Sequence, residues 1–291
     1  MTGKKQRVFV YGSLRRGEKY HSLMARVRPE AMQAWTEGEL FDTGRGYPGL
    51  AKGRRRVYGE VYRVNSRALA RIDRLEGHRE EASDIPGEFR RIRRRVLTDR
   101  GPVEAYVYLF NGPRKGHMEN VPYGDWKARH LDRRTEWLYF AYGSCMDDER
   151  IRSQGVGEEF LDVVGRGVLR GHAMRYTLPY SDGGRADVVE HPGSTVEGKV
   201  YRIGRKGLNY LFWREGVDSG VYRPAWVPVV IRGITVENVL TFIVIEKGKE
   251  TPPPEHYARE ILRGSEGTVS EVYHRRLRRY LKEKFKMTVS Y

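Results

Sequence analysis

Two glutamates, Glu76 in "RLEGH" and Glu215 in "REGVD", stand 139 positions apart and close the same local pattern. Leu69, Ile72 and Glu76 fall at i, i+3 and i+7, and Leu208, Leu211, Phe212 and Glu215 fall at i, i+3, i+4 and i+7. Each carboxylate therefore ends the apolar stripe of a short helix. A carboxylate on a buried face costs free energy unless it is paired, and desolvation lifts its pKa toward neutrality, which suits a general base or acid. The competing expectation is a glutamate that steps around a glycine C-cap, Gly77 or Gly216, into water. Recurrence in both halves favours chemistry.

A second pair of features can meet a negative charge. "VFVYGSLRRG" (8–17) and "YFAYGSCMDD" (139–148) each run an apolar strand into a Tyr-Gly-Ser corner, 131 residues apart. Glycine permits backbone conformations in which consecutive amides converge on an anion, and serine adds a hydroxyl. The residues expected to form such cradles are Tyr11, Gly12, Ser13 and Leu14 in one half and Tyr142, Gly143, Ser144 and Cys145 in the other. Cys145 has no obvious His partner in sequence, so it reads as a small buried side chain before it reads as a nucleophile.

These residues need scaffolds, and the chain repeats one. "VYGEVYRV" (57–64) resembles "VEGKVYRI" (196–203) at an offset of 139, the same offset that relates the two glutamates. Gly59 to Glu76 and Gly198 to Glu215 both span 17 residues, which argues for duplication. The boundary is expected near "RHLDRRTE" (129–136), giving domains 1–132 and 133–291. Each half reads as a strand ending in the corner, a Gly/Pro-turned segment, a strand around VYxV, a short helix and further strands such as "VEAYVYLF" and "VENVLTFIVI". This mixed α+β order fits poorly with alternating Rossmann units. "GRGYPG" (44–49) satisfies GxGxxG, yet no helix opens after Pro48, so it is expected to be a turn.

With 291 residues the chain can hold about two domains, and 39% apolar with 11% aromatic residues marks a folded protein. The longest apolar run, "VLTFIVI", is far below the roughly 18 residues of a membrane span, and the basic start "MTGKKQRVFVYGS" reads as a first strand and not as a leader. A cytoplasmic location and no membrane partner are expected. One cysteine excludes an internal disulfide, and eight scattered histidines show no ligand spacing, so no metal is expected. The net charge of +16 is uneven, with 30 Lys and Arg against 17 Asp and Glu in residues 1–135. "KGRRRVYG" and "FRRIRRRV" carry much of it, the latter as an edge strand or short helix. A solvated basic surface is the simpler reading, and nucleic acid an unfavoured partner. "HRRLRRYLKEKFK" reads as an amphipathic closing helix with Leu277, Tyr280, Leu281 and Phe285 on one side.

Taken together, these residues resemble the γ-glutamylcyclotransferase superfamily in two successive copies. The first half is similar to its AIG2-like branch through "YGSLRRG", "YPGL", "GEVYRV", "IDRLEG" and "YGDW". The second is closer to the larger cyclotransferases through "YFAYGSCM", "EGVDSGVYRP" and "TPPPEHY". The resemblance implies two tandem domains, each a small barrel-like mixed sheet with flanking helices. It also implies a reaction without metal or nucleotide, in which the α-amine of a small γ-glutamyl compound attacks its own γ-carbonyl to give 5-oxoproline and a free amine. Glu76 or Glu215 would move the proton, the corner amides would grip a carboxylate or oxyanion, and Tyr222 would orient the glutamyl group. Cys145 and Phe212 depart from the family's Asn and Asp, and Phe89 stands where the tyrosine is expected, behind the insertion "REEASDIPGE". A pocket that binds a small molecule without turnover is the alternative implied.

Overall fold

Alternation in the first strand sets the plan of the first half: in "QRVFV", Phe9 points to one apolar layer while Val8 and Val10 point to another. The computed structural model describes residues 5–24, 26–78, 87–113, 116 and 118–291, so most of "REEASDIPGE" lies outside the described residues. The chain divides into two compact units, Met1–Asp132 and Arg133–Tyr291.

In the first unit β1 (Gln6–Val10), β2 (Pro29–Asp42), β3 (Pro48–Val64), β4 (Phe89–Thr98) and β5 (Gly101–Phe110) close a barrel in the order β1-β3-β2-β4-β5. Closure is parallel, with Val8 opposite Tyr106. The arginine run "FRRIRRRV" is β4, paired along its length with β5 and at its far end with β2, so it is an internal strand of the barrel. Phe9, Val61, Val96, Val107 and Trp126 fill the barrel interior. On the outer side Val8, Val10, Tyr62 and Tyr108 pack against Ala68 and Ile72 of α1 (Ser66–Leu75). Residues 44–47 of "GRGYPG" lie in the bent connection between β2 and β3, and Pro48 and Gly49 open β3, so no helix follows.

The second unit begins at Arg133, the last residue of the single-turn α2 (His130–Arg133), and repeats the topology. β6 (Trp137–Ala141), β7 (Val163–Tyr180), β8 (Gly183–Ile203), β9 (Tyr222–Ile231) and β10 (Ile234–Val244) close a second barrel, again through a parallel pair, Leu240 opposite Tyr139. Its helices are α3 (Asp148–Ser153), α4 (Arg205–Arg214), α5 (Glu255–Ser265) and α6 (Glu271–Phe285). α6 contains the basic tail, with Leu277 and Leu281 buried and Tyr280 and Phe285 partly buried. Among the described residues no helix is long and apolar enough to cross a membrane.

The glycine shared by "YGEVYRV" and "EGKVYRI" has a steric reason. A Cβ on Gly59 would lie 2.3 Å from the Val10 carbonyl oxygen, and one on Gly198 would lie 2.1 Å from that of Ala141. Only a glycine lets β3 and β8 approach the last residue before each corner so closely.

Candidate active site

Each glutamate is placed by the way its helix ends. Glu76 is the C-cap of α1 and Gly77 follows with φ +61°, while the His78 amide donates to Asp73 O (2.9 Å) and the Gly77 amide to Arg74 O (3.3 Å). α4 ends identically: Gly216 has φ +59°, Val217 donates to Phe212 O (3.0 Å) and Gly216 to Trp213 O (3.1 Å). This is the Schellman ending that glycine permits. The glycine cap is therefore real, but it does not carry the carboxylates into water. Both glutamates are partly buried and face the corner of their own barrel.

In the first barrel Tyr11, Gly12, Ser13, Leu14 and Glu76 line one cavity of about 130 Å³. The Tyr11 hydroxyl donates to Tyr108 O (2.6 Å), fixing the corner to β5. Among the described residues the amides of Gly12, Ser13 and Leu14 donate to no other backbone group, while Arg15 N turns back to Gly12 O (3.0 Å). Burial, and then the negative charges of Glu88 and Asp73, push the Glu76 carboxyl up to about 7. No cation among the described residues pairs with it.

The second barrel brings Tyr142, Gly143, Ser144, Cys145, Glu215 and Tyr222 around a cavity of only about 30 Å³. That is room for a water or two, whereas the first cavity accommodates a small organic group. Tyr142 donates to Phe242 O (2.7 Å) as Tyr11 does to Tyr108 O, and Tyr222 spends its hydroxyl on Ala186 O (2.7 Å). Burial also raises the pKa of Glu215, but here the Arg214 guanidinium opposes it, with Nε 3.8 Å from the carboxylate. Arg214 also donates to Ser144 Oγ (2.9 Å), and the Cys145 thiol lies 3.8 Å from Glu215 Oε1. Burial pushes that thiol above its ordinary pKa, which opposes nucleophilic use.

Strand register makes the departures between halves legible as a set. Phe89 pairs with Phe110 as Tyr222 pairs with Val244, so Phe89 occupies the tyrosine's place. Arg91 pairs with Tyr108 as Pro224 pairs with Phe242. In the first barrel Tyr108 Oη donates to Asp73 (2.6 Å), which also takes Arg91. In the second the same three positions are Phe212, Phe242 and Pro224, and the two phenyl rings meet edge to face at 5.6 Å. A polar triad has become an apolar contact.

The support behind each corner is inverted in charge. Buried Glu60, which follows Gly59, accepts from Arg15 Nε (3.2 Å) and from the Arg16 amide (2.9 Å), and Asp125 takes Arg15 from the other side (2.5 Å). Lys199, which follows Gly198, donates to Met146 O (3.0 Å) and to Asp148 (2.7 Å), while Asp147 takes Arg263 (2.5 Å).

Tyr47, Glu88 and Tyr108 in the first cavity, and Tyr139, Phe242 and Tyr257 in the second, were not singled out from the sequence. Tyr47 lies in the "YPGL" run and Tyr257 closes "TPPPEHY", so both sit inside motifs without being named as lining. Tyr47 donates to Glu88 (2.7 Å), and Tyr257 Oη accepts from the Ala186 amide (3.2 Å).

The profile of the family described as gamma-glutamyl cyclotransferase, AIG2-like, matches residues 8–128, and that of the AIG2-like family matches residues 195–277. A Bacillus subtilis protein named "Putative gamma-glutamylcyclotransferase YkqA" is 37% identical over 288 residues, 94% of this chain and 96% of the relative. The chain belongs to the γ-glutamylcyclotransferase family. The crystal structure of YkqA covers 99% of this cyclotransferase-family chain and matches it over its whole length, with a TM-score of 0.86 at 36% identity. A gamma-L-glutamyl-butirosin B gamma-glutamyl cyclotransferase of Niallia circulans is 37% identical over 43% of the chain and 77% of its own length. The human gamma-glutamylcyclotransferase is 30% identical over 44% of the chain and 70% of its own length. The tandem family architecture thus extends to a relative of matching length.

Proposed function

We propose that the chain is a γ-glutamylcyclotransferase whose turnover is carried by the first barrel. The observation that carries this reading is Glu76: it faces the Tyr11–Leu14 corner across a cavity of about 130 Å³, with its carboxyl pushed up to about 7 and no paired cation among the described residues. A base with that pKa is half ionised near neutral pH, where proton transfer is most effective. Glu76 takes a proton from the α-ammonium of a γ-glutamyl compound. The freed amine attacks the γ-carbonyl carbon, closing the five-membered lactam. As the bond to the leaving nitrogen breaks, Glu76 returns the proton to it, and the second proton that the attacking nitrogen sheds on becoming the lactam N–H passes to the departing amine, which leaves as its ammonium. The products are 5-oxoproline and a free amine, with no change of oxidation state.

The unengaged amides of Gly12, Ser13 and Leu14 are suited to the negative charge that develops on the carbonyl oxygen. Holding amine and carbonyl in contact could supply part of the roughly 7–11 kcal/mol available from orientation. For the second barrel, the small cavity and the Arg214–Glu215 pair favour a pocket without turnover.

The test is 5-oxoproline release, read by mass spectrometry, from a panel of γ-glutamyl amino acids and γ-glutamyl amines. Glu76→Gln should lose roughly 10²–10⁴-fold in rate, and Glu215→Gln should stay near wild type. The reverse pattern moves the active site to the second barrel. A wild-type chain that binds the panel but releases nothing makes both pockets binding sites.

A further inference from the structure

Closing the lactam strips two protons from the attacking nitrogen, because an ammonium carries three N–H bonds and the lactam nitrogen one. While Glu76 gives the first proton to the leaving nitrogen, the second still has to be taken off. The first cavity holds one more carboxylate, Glu88, and among the described residues no Lys, Arg or His lines it.

Glu88 is fixed at both its backbone and its side chain. It immediately precedes β4, the Asn111 amide donates to its carbonyl (2.9 Å), and a Cβ on Gly77, the neighbour of Glu76, would lie 3.7 Å from its Cβ. Its Oε1 is taken twice, by Tyr47 Oη (2.7 Å) and by Arg45 Nη1 (2.5 Å), and the same Arg45 nitrogen reaches Tyr47 Oη (3.1 Å). Tyr47 is itself anchored by the Thr43 hydroxyl, which donates to its carbonyl (2.5 Å). Burial, and then the bond to Glu88, hold the Tyr47 phenol above its ordinary pKa, so it stays a donor. Oε2 takes no donor among the described residues. A carboxylate oriented through one oxygen leaves the other as a directed acceptor for a ligand N–H.

The second barrel supplies the contrast. Tyr222 stands in the register place of Phe89, so the place of Glu88 falls to Val221. The equivalence holds in the backbone: the Ile245 amide donates to Val221 O (3.1 Å), and a Cβ on Gly216, the neighbour of Glu215, would lie 3.2 Å from the Val221 Cβ. The barrel with the larger cavity carries a carboxylate where the other carries an isopropyl group. An ion pair with Arg45 does not account for that choice, since a pair at a side chain 36% exposed contributes little to stability.

We propose that Glu88 is a second catalytic residue of the first barrel, an inference that rests on the cyclotransferase reading: its Oε2 takes the second proton from the attacking nitrogen and passes it to the departing amine. An N–H bond breaks as an O–H bond forms on Glu88. That O–H bond then breaks as an N–H bond forms on the leaving nitrogen, which restores the carboxylate.

The experiment is steady-state release of 5-oxoproline from the best substrate of the γ-glutamyl panel, read at about pH 8.5, where Glu76 is ionised with or without the Glu88 charge. Glu88→Gln should lose at least about tenfold in kcat, since positioned acid–base groups contribute roughly 10²–10⁴-fold. KM should change little, as for a contact made in the transition state. Glu88→Ala should lose as much and regain rate on addition of formate, which can enter at the partly exposed mouth, but not of formamide, which has the shape without the basicity. Melting of both variants should stay close to wild type. The proposal is overturned by a Glu88→Gln variant that turns over like wild type, by a loss confined to KM, by formate leaving Glu88→Ala unchanged, or by formamide restoring it equally. These outcomes leave Glu76 and the parent reaction standing, whereas a wild type that releases no 5-oxoproline overturns both.

Discussion

Glu76→Gln should stabilise the first barrel at alkaline pH while it abolishes turnover. Folding raises this carboxyl from 4.5 to about 7, so the folded chain holds the proton more tightly than the unfolded chain does. The sign follows from linkage: the stabilisation is fully present below pH 4.5 and is lost as pH rises through about 7. At roughly 1.36 kcal/mol per pKa unit, the wild type gives up about 3 kcal/mol by pH 8.5. Glutamine resembles the protonated form and gives up nothing. Urea unfolding of wild type and variant between pH 4.5 and 8.5 should therefore show curves that coincide at the acid end and diverge to about 3 kcal/mol at the alkaline end. A difference independent of pH, or a variant less stable than wild type at pH 8.5, would refute the claim that Glu76 is held in a desolvated, anion-flanked place.

The same carboxyl should govern rate, with kcat/KM falling about tenfold per pH unit below 7 and levelling above it, as a pH–rate profile would read. Arg15→Met removes the guanidinium that bridges buried Glu60 and Asp125, leaving Lys127 at 3.9 Å from Glu60, and should cost about 3–5 kcal/mol in urea unfolding. A loss below 1 kcal/mol would show that the pair is replaceable by packing. Gly59→Ala and Gly198→Ala each drive a Cβ into a carbonyl oxygen and should cost about 1–3 kcal/mol or more, visible as lowered melting of the chain. Tyr108→Phe removes the hydroxyl from Asp73 and should cost about 1.5–3 kcal/mol, unless Arg91 alone satisfies that carboxylate.

Features set by a local rule were readable in the sequence. The Gly77 and Gly216 caps, the apolar stripes that end in Glu76 and Glu215, and the helix-free β2–β3 connection in "GRGYPG" each depend on a few adjacent residues. The shared interval from glycine to glutamate was also legible, because a strand, a connection and a helix of equal length must reach the same corner. What escaped is long-range. Tyr108 and Phe242 acquire their meaning from pairing with Arg91 and Pro224 across a barrel wall, and no spacing along the chain announces that pairing. The arginine run left strand and helix open because Arg has no preferred face; the β4–β5 register decided it. Cavity size was likewise hidden: Tyr139, Phe242 and Tyr257 reach the second corner from three separate elements.

The inverted charges behind the corners bear on how a chain with two barrels of one topology sorts itself during folding. β1 seeks a partner shaped like β3, and β8 has that shape, including the glycine that admits the strand end. Adjacent similar domains are prone to such cross-pairing. Were β1 to dock on β8, Arg15 and Arg16 would meet Lys199; were β6 to dock on β3, Asp147 and Asp148 would meet Glu60. Like charges brought together in a desolvated place cost several kcal/mol, so each first strand is repelled by the other barrel's lysine or glutamate and held by its own. The duplication thus carries its own address labels, written in sign of charge, on a scaffold whose shapes alone would not tell the two halves apart.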